Sequence, residues 1–508
     1  MKLWRVSAFS LLAVFAMAVT LTAVRGQQGP PAKDAVAEAD EKILSEVHDH
    51  NEIMSNLEYL SDMIGARLTG TENLKKANDW TRQKFADYGA ANPHLEPWTV
   101  AHTWTRVTAT AQIVRPSVHA LTIASYAWAP STNGTVRGHI VYVKARSMED
   151  LAQYKGKLKD AIVISAEPAL LPPADEPAPN PLEVPYGDSF LLVAPRRAVA
   201  GQVFGPDFRK FLQARAAFFK DEGVLATLTD SGKPDGLLNM TSMGGRNYDI
   251  AAIPAAFVSS ESYGVIWRLL QRGPVNLEVN IANSIGDKPT EVYNTVAEIR
   301  GSEKPDEIVV LGAHLDSWDL GEGTTDNGTG SMIVLEAART LQKLGLQPKR
   351  TIRFVLFSGE EQGLVGSRAY VVSHKAELPK ISAALIHDTG TGRVVSISLM
   401  RNYQDREVMD KVVAPLHSLG LLELSERWMA GSDHSSFEEA GVPGFFCVQE
   451  PAQYFQTHHS QADTFDQAHE EDLVEGAQVM AAWAYNVAQL PDLLPRKPGA
   501  ASAATAGN

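Results

Sequence analysis

Apolar residues recur at two different spacings along this chain, and the spacing predicts which parts form helices and which form strands. Between residues 40 and 88 the spacing is helical, with Ile53, Leu57 and Leu60 on one face. Trp80 and Phe85 indicate a second helix within this region. We therefore expect the first part of the folded chain to be helical.

The region from Gly89 to about residue 288 mixes both spacings. It predicts strands at 98–102, 107–114, 138–144, 161–165, 223–228, 255–258 and 276–281, and helices at 148–154, 206–220 and 263–271. Eight of the 28 prolines lie between Pro168 and Pro195. Because proline interrupts both helices and sheets, this passage predicts an extended surface loop.

From Val292 onward, short apolar runs alternate with helical stretches. The runs are of the buried-strand type and lie at 307–312, 351–357, 383–386 and 444–448. Alternating strands and helices predict an α/β fold, a mostly parallel central sheet flanked by helices on both faces. We expect this larger domain in two parts, residues 40–120 and 289–492, with an α+β domain of residues 121–288 inserted and a disordered tail at 493–508.

The first 26 residues have the pattern of a secretory signal peptide. Lys2 and Arg5 precede a short apolar run, and small residues lead into a stretch of Gln, Gly and Pro near Gly26. The run is shorter than the roughly 20 apolar residues that span a bilayer, which argues against a membrane anchor. We expect a secreted or periplasmic protein without a membrane attachment after cleavage.

Composition narrows the chemistry. The 508 residues include 46 basic and 60 acidic side chains, a formal net charge of −14, which argues against a nucleic-acid partner. Cys447 is the one cysteine, so an intrachain disulfide framework and a cysteine-rich metal site are excluded. Any metal site must therefore be built from His, Asp and Glu.

Potential metal ligands and proton carriers follow the predicted strands of the larger domain. Ligands bind beyond the carboxyl ends of the strands in open α/β sheets, so we expect these side chains to share one rim. Crowded carboxylates repel each other, and a divalent cation removes that repulsion. The candidates, in chain order, are His314, Asp316, Asp326, Glu360, Glu361, Asp388, His458 and His459.

Nitrogen and oxygen ligands suit zinc and tolerate cobalt or manganese. The two carboxylate oxygens of Asp326 could bridge two ions. His314 and Asp388 would complete one ion, and Glu361 and His459 the other. Two ions could together hold a hydroxide and polarise a carbonyl group. Asp316, two residues after His314, fits a carboxylate that orients a ligating imidazole.

Four sequence phrases resemble the co-catalytic zinc peptidases (family-28 peptidases), which include secreted aminopeptidases, glutamate carboxypeptidase and carboxypeptidase Q. These phrases are HLDSWDLGEGTTDNGTG, FSGEEQGLVGS, HDTG and HHSQADT, and the first and last are most similar to carboxypeptidase Q. The resemblance implies a phosphorylase/aminopeptidase-like fold with an inserted protease-associated domain. It also implies a cis peptide bond after the bridging aspartate.

The family pattern implies two zinc ions per chain. It places ligands on His314, Asp326, Glu361 and Asp388, and on a histidine before Asp-Thr, for which spacing favours His459 over His458. The same pattern implies Glu360 as the general base and Asp316 as the orienting carboxylate.

The resemblance predicts an exopeptidase that acts on dipeptides or on the N-terminal residues of small peptides. Two alternatives stay open: a metal-free receptor of the same fold, and a single-zinc acyltransferase related to glutaminyl cyclases. The receptor predicts broken ligand positions, and none is broken. The proline-rich loop and the inserted domain could restrict access to the cleft, form a homodimer contact or simply be a solvated surface decoration.

Overall fold

The computed structural model describes residues 35–172, 180–182, 187–188, 206–242 and 248–497. The predicted signal peptide, most of the proline-rich passage and residues 498–508 of the predicted tail lie outside these residues. The prediction of a disordered tail from residue 493 is wrong for residues 493–497, because Leu494 is buried and Arg496 donates hydrogen bonds to the backbone of the larger domain. Within them, no helix is both long enough and apolar enough to cross a bilayer.

Twelve α-helices are assigned in the described residues. In chain order they are α1 (Ala35–His50), α2 (Ile53–Glu58), α3 (Glu72–Asp87), α4 (Met148–Ala152), α5 (Pro206–Asp221), α6 (Ser260–Leu270), α7 (Thr329–Lys343), α8 (Val365–Ser373), α9 (Arg406–Val413), α10 (His434–Glu439), α11 (Tyr454–Thr457) and α12 (Glu470–Gln489). Shorter helical turns connect several of them, including one at Thr324–Gly328 directly before α7.

The strands form two large sheets and one small one. In chain order they are β1 (Ala91–Val100), β2 (Trp104–Arg115), β3 (His119–Leu121), β4 (Ile123–Ser125), β5 (Val136–Tyr142), β6 (Ala161–Ile164), β7 (Gly187–Asp188), β8 (Ala226–Asp230), β9 (Ala255–Val258), β10 (Asn276–Ile285), β11 (Thr290–Ile299), β12 (Lys304–His314), β13 (Arg350–Phe357), β14 (Ile381–Ile386), β15 (Val394–Ser398), β16 (Met429–Ala430) and β17 (Gly444–Gln449).

The main sheet has seven strands in the order β1-β11-β13-β12-β14-β17-β15. The four neighbours β13, β12, β14 and β17 are parallel, whereas β1, β11 and β15 pair antiparallel at the two sides. The four parallel strands are the four apolar runs that the sequence predicts. This arrangement confirms the predicted α/β fold class.

Helices cover both faces of the main sheet. In β12, Leu311 belongs to one apolar core that includes residues of α7 and α12, whereas Val310 belongs to a second core with Tyr370 of α8 and Phe437 of α10. Successive strand residues point to opposite faces, so both sides of this sheet must be apolar. This requirement explains why the sequence of each central strand is a continuous apolar run.

The inserted part forms its own eight-stranded sheet, in the order β3-β2-β10-β5-β6-β8-β9-β4. This sheet begins earlier in the chain than the predicted domain boundary at residue 121. Strand β2 pairs antiparallel with β10, so residues 104–115, which that boundary assigns to the larger domain, belong structurally to the inserted part. Their alternating pattern gives no local sign of which sheet they join. Residues 104–285 are called the insert from here on.

Candidate metal centre

Three neighbouring parallel strands end at one rim of the main sheet. His314 at the end of β12 is paired with Phe357 at the end of β13, so residues 358–361 leave the sheet beside His314. Gly312 is paired with Ile386 of β14. Extending that register by two residues places Asp388 level with His314. The strand register therefore delivers three of the predicted segments to one place.

His314 directs one ring nitrogen into this rim. Its Nδ1 lies 2.9 Å from the backbone carbonyl oxygen of Asp316, which leaves Nε2 as the nitrogen that could bind a metal ion. Nε2 lies 3.3 Å from Asp326 Oδ1 and 3.4 Å from Asp388 Oδ1. The ring is almost fully buried.

Asp316 acts on the backbone around the two glutamates. Its carboxylate lies 3.6 Å from Nδ1 of His314, farther than its own carbonyl. The carboxylate accepts hydrogen bonds from the backbone N–H groups of Glu360 at 3.2 Å and Glu361 at 3.4 Å, and from the Thr69 hydroxyl at 3.0 Å. Asp316 thus orients His314 through its carbonyl and positions Glu360 and Glu361 through its side chain.

The two adjacent glutamates contact different histidines. Glu361 Oε2 lies 2.9 Å from His459 Nε2, and Glu360 Oε2 lies 4.0 Å from His314 Nε2. Glu361 therefore lies beside His459, where its carboxylate could share an ion with that imidazole. Glu360 lies on the other side, beside His314.

Asp326 lies in the loop before α7, and Asp463 holds that loop. The N–H and hydroxyl groups of Thr325 donate to Asp463 Oδ1 at 2.6 and 2.8 Å, and the N–H of Asp326 donates to Oδ2 at 3.3 Å. The Asn327 amide donates to the carbonyl of His387 at 2.8 Å, which ties the loop to the end of β14. The Asp326–Asn327 peptide bond is cis, as the family resemblance implies.

A buried arginine fixes the glycine-rich part of the same loop. Arg67 donates to the backbone carbonyls of Leu315 at 2.7 Å, Glu322 at 2.8 Å and Gly323 at 2.5 Å. The Gly323 carbonyl also accepts from the N–H of Gly328 at 3.0 Å within the loop, whereas Arg67 is the donor that satisfies the carbonyls of Leu315 and Glu322. Arg67 therefore connects the end of β12 to the loop that carries Asp326.

Two adjacent histidines supply the fifth segment. His459 Nε2 lies 3.4 Å and His458 Nε2 lies 3.9 Å from Asp326 Oδ2, and the two rings stack with centroids 3.6 Å apart. Because His459 also contacts Glu361, it is the better placed of the two to share an ion with that carboxylate. His458 lies directly beside it.

Four of the five predicted ligand side chains, all but Glu361, belong to two overlapping groups. Coordinating atoms of His314, Asp326 and Asp388 all lie within 4.8 Å of one another. Coordinating atoms of Asp326, His458 and His459 satisfy the same limit. Asp326 belongs to both groups, the position that a bridging carboxylate would occupy.

The chemistry of these residues fits a pair of divalent cations. Asp326 Oδ2 and Glu361 Oε1 are buried and have no hydrogen-bond partner among the described residues, an arrangement that is costly without a further partner. Imidazole nitrogens and carboxylate oxygens are the ligands that zinc takes when cysteine is absent. Both orphaned oxygens belong to predicted ligands.

Crowding shifts the pKa values of these groups in different directions. Burial, reinforced by neighbouring carboxylates, raises the pKa values of Glu360 and Glu361 well above their usual range. Burial also disfavours ionised Asp326, but the hydrogen bond from His314 and the charges of the nearby imidazoles hold the pKa of Asp326 well below its usual range. Asp326 is thus an ionised carboxylate surrounded by imidazole groups.

Several supporting residues carry no signal in the sequence. Ligands are predicted where they follow strands, and Arg67 lies between helices. The insert is predicted as a separate domain, yet the His459 ring donates a hydrogen bond to the backbone of Met240, and the Tyr248 hydroxyl donates to Gln362 Oε1 at 3.3 Å. No local pattern could reveal contacts between segments so far apart in sequence.

Comparison with known proteins identifies the family. The family model described as Peptidase family M28 matches residues 294–484. Carboxypeptidase Q of Rattus norvegicus is 30% identical over 450 residues, which cover 88% of this chain and 87% of the relative. The chain belongs to peptidase family M28. Carboxypeptidase Q of Homo sapiens is 28% identical over 455 residues, with the same coverage of both chains.

Solved structures agree with this assignment. The M28 peptidase precursor of Shewanella amazonensis matches with a TM-score of 0.73 and 27% identity, covering 92% of this chain and all of that one. A zinc aminopeptidase from Bacillus subtilis shares the fold, with a TM-score of 0.61 and 18% identity over 85% of this chain and 94% of the other. The chain is thus a carboxypeptidase Q-like M28 metallopeptidase, as the sequence phrases predict.

Proposed function

We propose that this M28 metallo-exopeptidase is a secreted di-zinc enzyme that hydrolyses dipeptides or removes N-terminal residues from small peptides. The observation that carries the proposal is the position of Asp326. One of its oxygens lies 3.3 Å from His314 Nε2, and the other lies 3.4 Å from His459 Nε2. His314 and Asp388 would hold one zinc ion with Asp326, and Glu361 and His459 the other.

When bound, zinc would polarise the scissile carbonyl and make water acidic enough to attack at neutral pH. A side chain beside the attacking water must then accept a proton from it and donate that proton to the leaving group. Glu360 is buried, is not needed as a ligand, and has its backbone fixed by Asp316. Its carboxylate takes a proton from the attacking water and delivers it to the nitrogen of the leaving amine.

Secretion is supported by the signal-peptide pattern of residues 1–26. N-terminal sequencing of the protein exported by its host should show a start near residue 27. An exported protein that retains its first residues would contradict this part of the proposal.

The decisive test of the general base is Glu360→Gln, measured as both zinc content and hydrolysis of a dipeptide. Turnover should fall by about 10³-fold, because glutamine cannot accept the proton, while zinc content stays at two ions per chain. Glu303→Gln, at an exposed position, is the matched control and should change neither quantity. Wild-type turnover by the Glu360→Gln variant would refute the assignment of the base.

The same zinc measurement separates the proposal from the acyltransferase alternative. Two ions per chain with peptide hydrolysis support the exopeptidase. One ion per chain, with activity on N-terminal glutamine, would favour the single-zinc acyltransferase and contradict the proposal.

A further inference from the structure

The insert places a buried lysine next to the segment that carries His459. Lys233 follows β8 and is 3% exposed. Its ammonium donates a hydrogen bond to the backbone carbonyl of Phe455 at 2.5 Å and lies 5.1 Å from the centroid of the Phe455 ring. Phe455 is in α11, which ends just before His458 and His459.

Within the described part of the chain, the charge of this ammonium has no close counter-charge. No carboxylate of the described residues makes an ion pair with Lys233. An ammonium has three N–H donors, and the Phe455 carbonyl accepts one of them. Burial lowers the pKa of Lys233 to about 7, against the attraction of Asp326 and Asp463. A buried cation in this condition is stabilised by any anion that reaches it.

The polypeptide around Lys233 is tied to the metal rim. The N–H of Leu238 donates to the side-chain oxygen of Gln461 at 2.9 Å, and the Gln461 amide donates to the carbonyl of Gly236 at 3.3 Å. The backbone of Met240 accepts a hydrogen bond from the His459 ring. These contacts fix Lys233 on the His459 side of the rim.

We propose that Lys233 binds the free carboxylate of the peptide substrate and so makes the enzyme selective for peptides that end one residue after the scissile bond. The inference rests on the proposed function, because it places the scissile carbonyl at the metal rim. One residue separates that carbonyl from the terminal carboxylate of a dipeptide, a span of about 3.8 Å. The substrate carboxylate supplies the negative charge that Lys233 lacks, in a setting where water is largely excluded.

An amide at the same position carries no charge and forms a weaker hydrogen bond with an ammonium. Selectivity for the acid over the amide is therefore the property that Lys233 controls. A purely structural lysine, which only balances the charges of Asp326 and Asp463, would affect both substrates equally.

The test uses the zinc-loaded full chain with one dipeptide and its C-terminal amide. For the wild-type enzyme, kcat/KM should be about 10- to 100-fold higher for the acid, the range expected for a hydrogen bond to a charged group. Lys233→Met should lower kcat/KM for the acid by about that factor and change the amide by less than about threefold. Lys233→Arg should retain most of the selectivity. Lys157→Met, at an exposed lysine of the insert, is the control and should change neither substrate.

Equal losses on acid and amide in Lys233→Met would overturn the proposal in favour of a structural role. Turnover of the amide as fast as the acid by the wild type would overturn it too, while leaving the exopeptidase function intact. If the zinc-loaded wild type cleaves neither substrate, the proposed function itself fails.

A wild-type measurement covers the case in which Lys233→Met does not fold. The free amino acid released from the carboxyl side of the dipeptide should compete with substrate, and its amide should compete at least about tenfold more weakly. Equal inhibition by the two compounds would overturn the role of Lys233 without any variant.

Discussion

Residues that are not themselves predicted ligands fix the positions of the residues that are. Asp463 accepts three hydrogen bonds from Thr325 and Asp326, and Asp316 accepts from the backbone of both glutamates. Such bonds to a carboxylate are stronger than neutral ones. The positions of the predicted ligands are therefore set by neighbouring side chains that would not bind an ion themselves.

Arg67 is the residue whose loss should disturb this layer most. Replacing it by methionine leaves the carbonyls of Leu315 and Glu322 without their donor and removes one of the two donors to the Gly323 carbonyl. Because each unpaired buried polar group costs about 1–3 kcal/mol, we expect Arg67→Met to lower the free energy of unfolding by about 3–5 kcal/mol in urea denaturation. The zinc affinity should fall as well, since the loop before Asp326 loses its anchor.

Arg137→Met is the control for the Arg67 variant. The Arg137 side chain is 78% exposed and pairs with Glu278 at the surface of the insert. Exposed ion pairs contribute about 0–1 kcal/mol, so this variant should change stability little and leave zinc binding unchanged. Similar losses from the two substitutions would contradict the anchoring role of Arg67.

Among the elements, the turn between β13 and α8 is tightly constrained. Gly359 precedes Glu360 with φ at +77°, and a Cβ atom there would lie 2.6 Å from the Trp98 ring and from the Tyr248 hydroxyl. Trp98 belongs to β1 and Tyr248 belongs to the insert, so three distant parts of the chain meet at this glycine. Neither the backbone conformation nor the space permits a side chain.

Gly359→Ala should therefore damage both stability and catalysis. A non-glycine residue in this backbone region costs on the order of 1–3 kcal/mol, and the contacts with Trp98 and Tyr248 add to that cost by pushing the turn away. We expect a lower free energy of unfolding in urea and at least about a tenfold fall in kcat, because Glu360 moves with the turn.

A variant at a second glycine shows how much of the effect comes from backbone strain and how much from steric contact. Gly345 has φ at +62°, and a Cβ atom added there would have nothing within 4 Å. Gly345→Ala should lose stability through backbone strain alone and keep full activity. If Gly359→Ala is no worse than Gly345→Ala, the packing against Trp98 and Tyr248 does not position the base.

The elements that the sequence predicts well are those whose surroundings are apolar on all sides. Strand β13 is predicted at 351–357 and runs from Arg350 to Phe357, and β9 is predicted at its observed bounds. Strand β1 is predicted only at 98–102, because its first half, ANPHLE, is polar and lies at the sheet edge. The long helix α12 is absent from the predicted elements, since apolar residues on most of its faces hide the helical spacing.

At the scale of the whole molecule, the sequence does not predict which residues of the two large sheets and their loops contact each other. The ligand candidates can be found because most of them follow a strand of one parallel sheet, whose ends must meet. The same reasoning cannot find Met240, Tyr248 and Lys233, because these residues reach the rim from the insert. Arg106 of β2 likewise donates two hydrogen bonds to the Asp319 carboxylate, at 2.9 and 3.0 Å. The insert thus contacts the rim of the main sheet through several side chains.

The number of zinc ions can be read from the stability of the whole molecule. An ion that binds the native state only raises the free energy of unfolding by about 1.4 kcal/mol for each tenfold increase in free zinc above its dissociation constant. Two such ions, bridged by Asp326, should give a slope of about 2.7 kcal/mol per tenfold increase. Urea unfolding in zinc buffers measures this slope directly.

Glu361→Gln provides the matched comparison, because it removes a ligand from one of the two groups and leaves His314 and Asp388 intact. Its slope should fall to about 1.4 kcal/mol per tenfold increase in free zinc, whereas Glu303→Gln should keep the wild-type slope. The orphaned oxygens of Asp326 and Glu361 make the metal-free form the least stable of all. A wild-type slope near about 1.4 kcal/mol would mean that one ion is bound, and Asp326 would then not be a bridge.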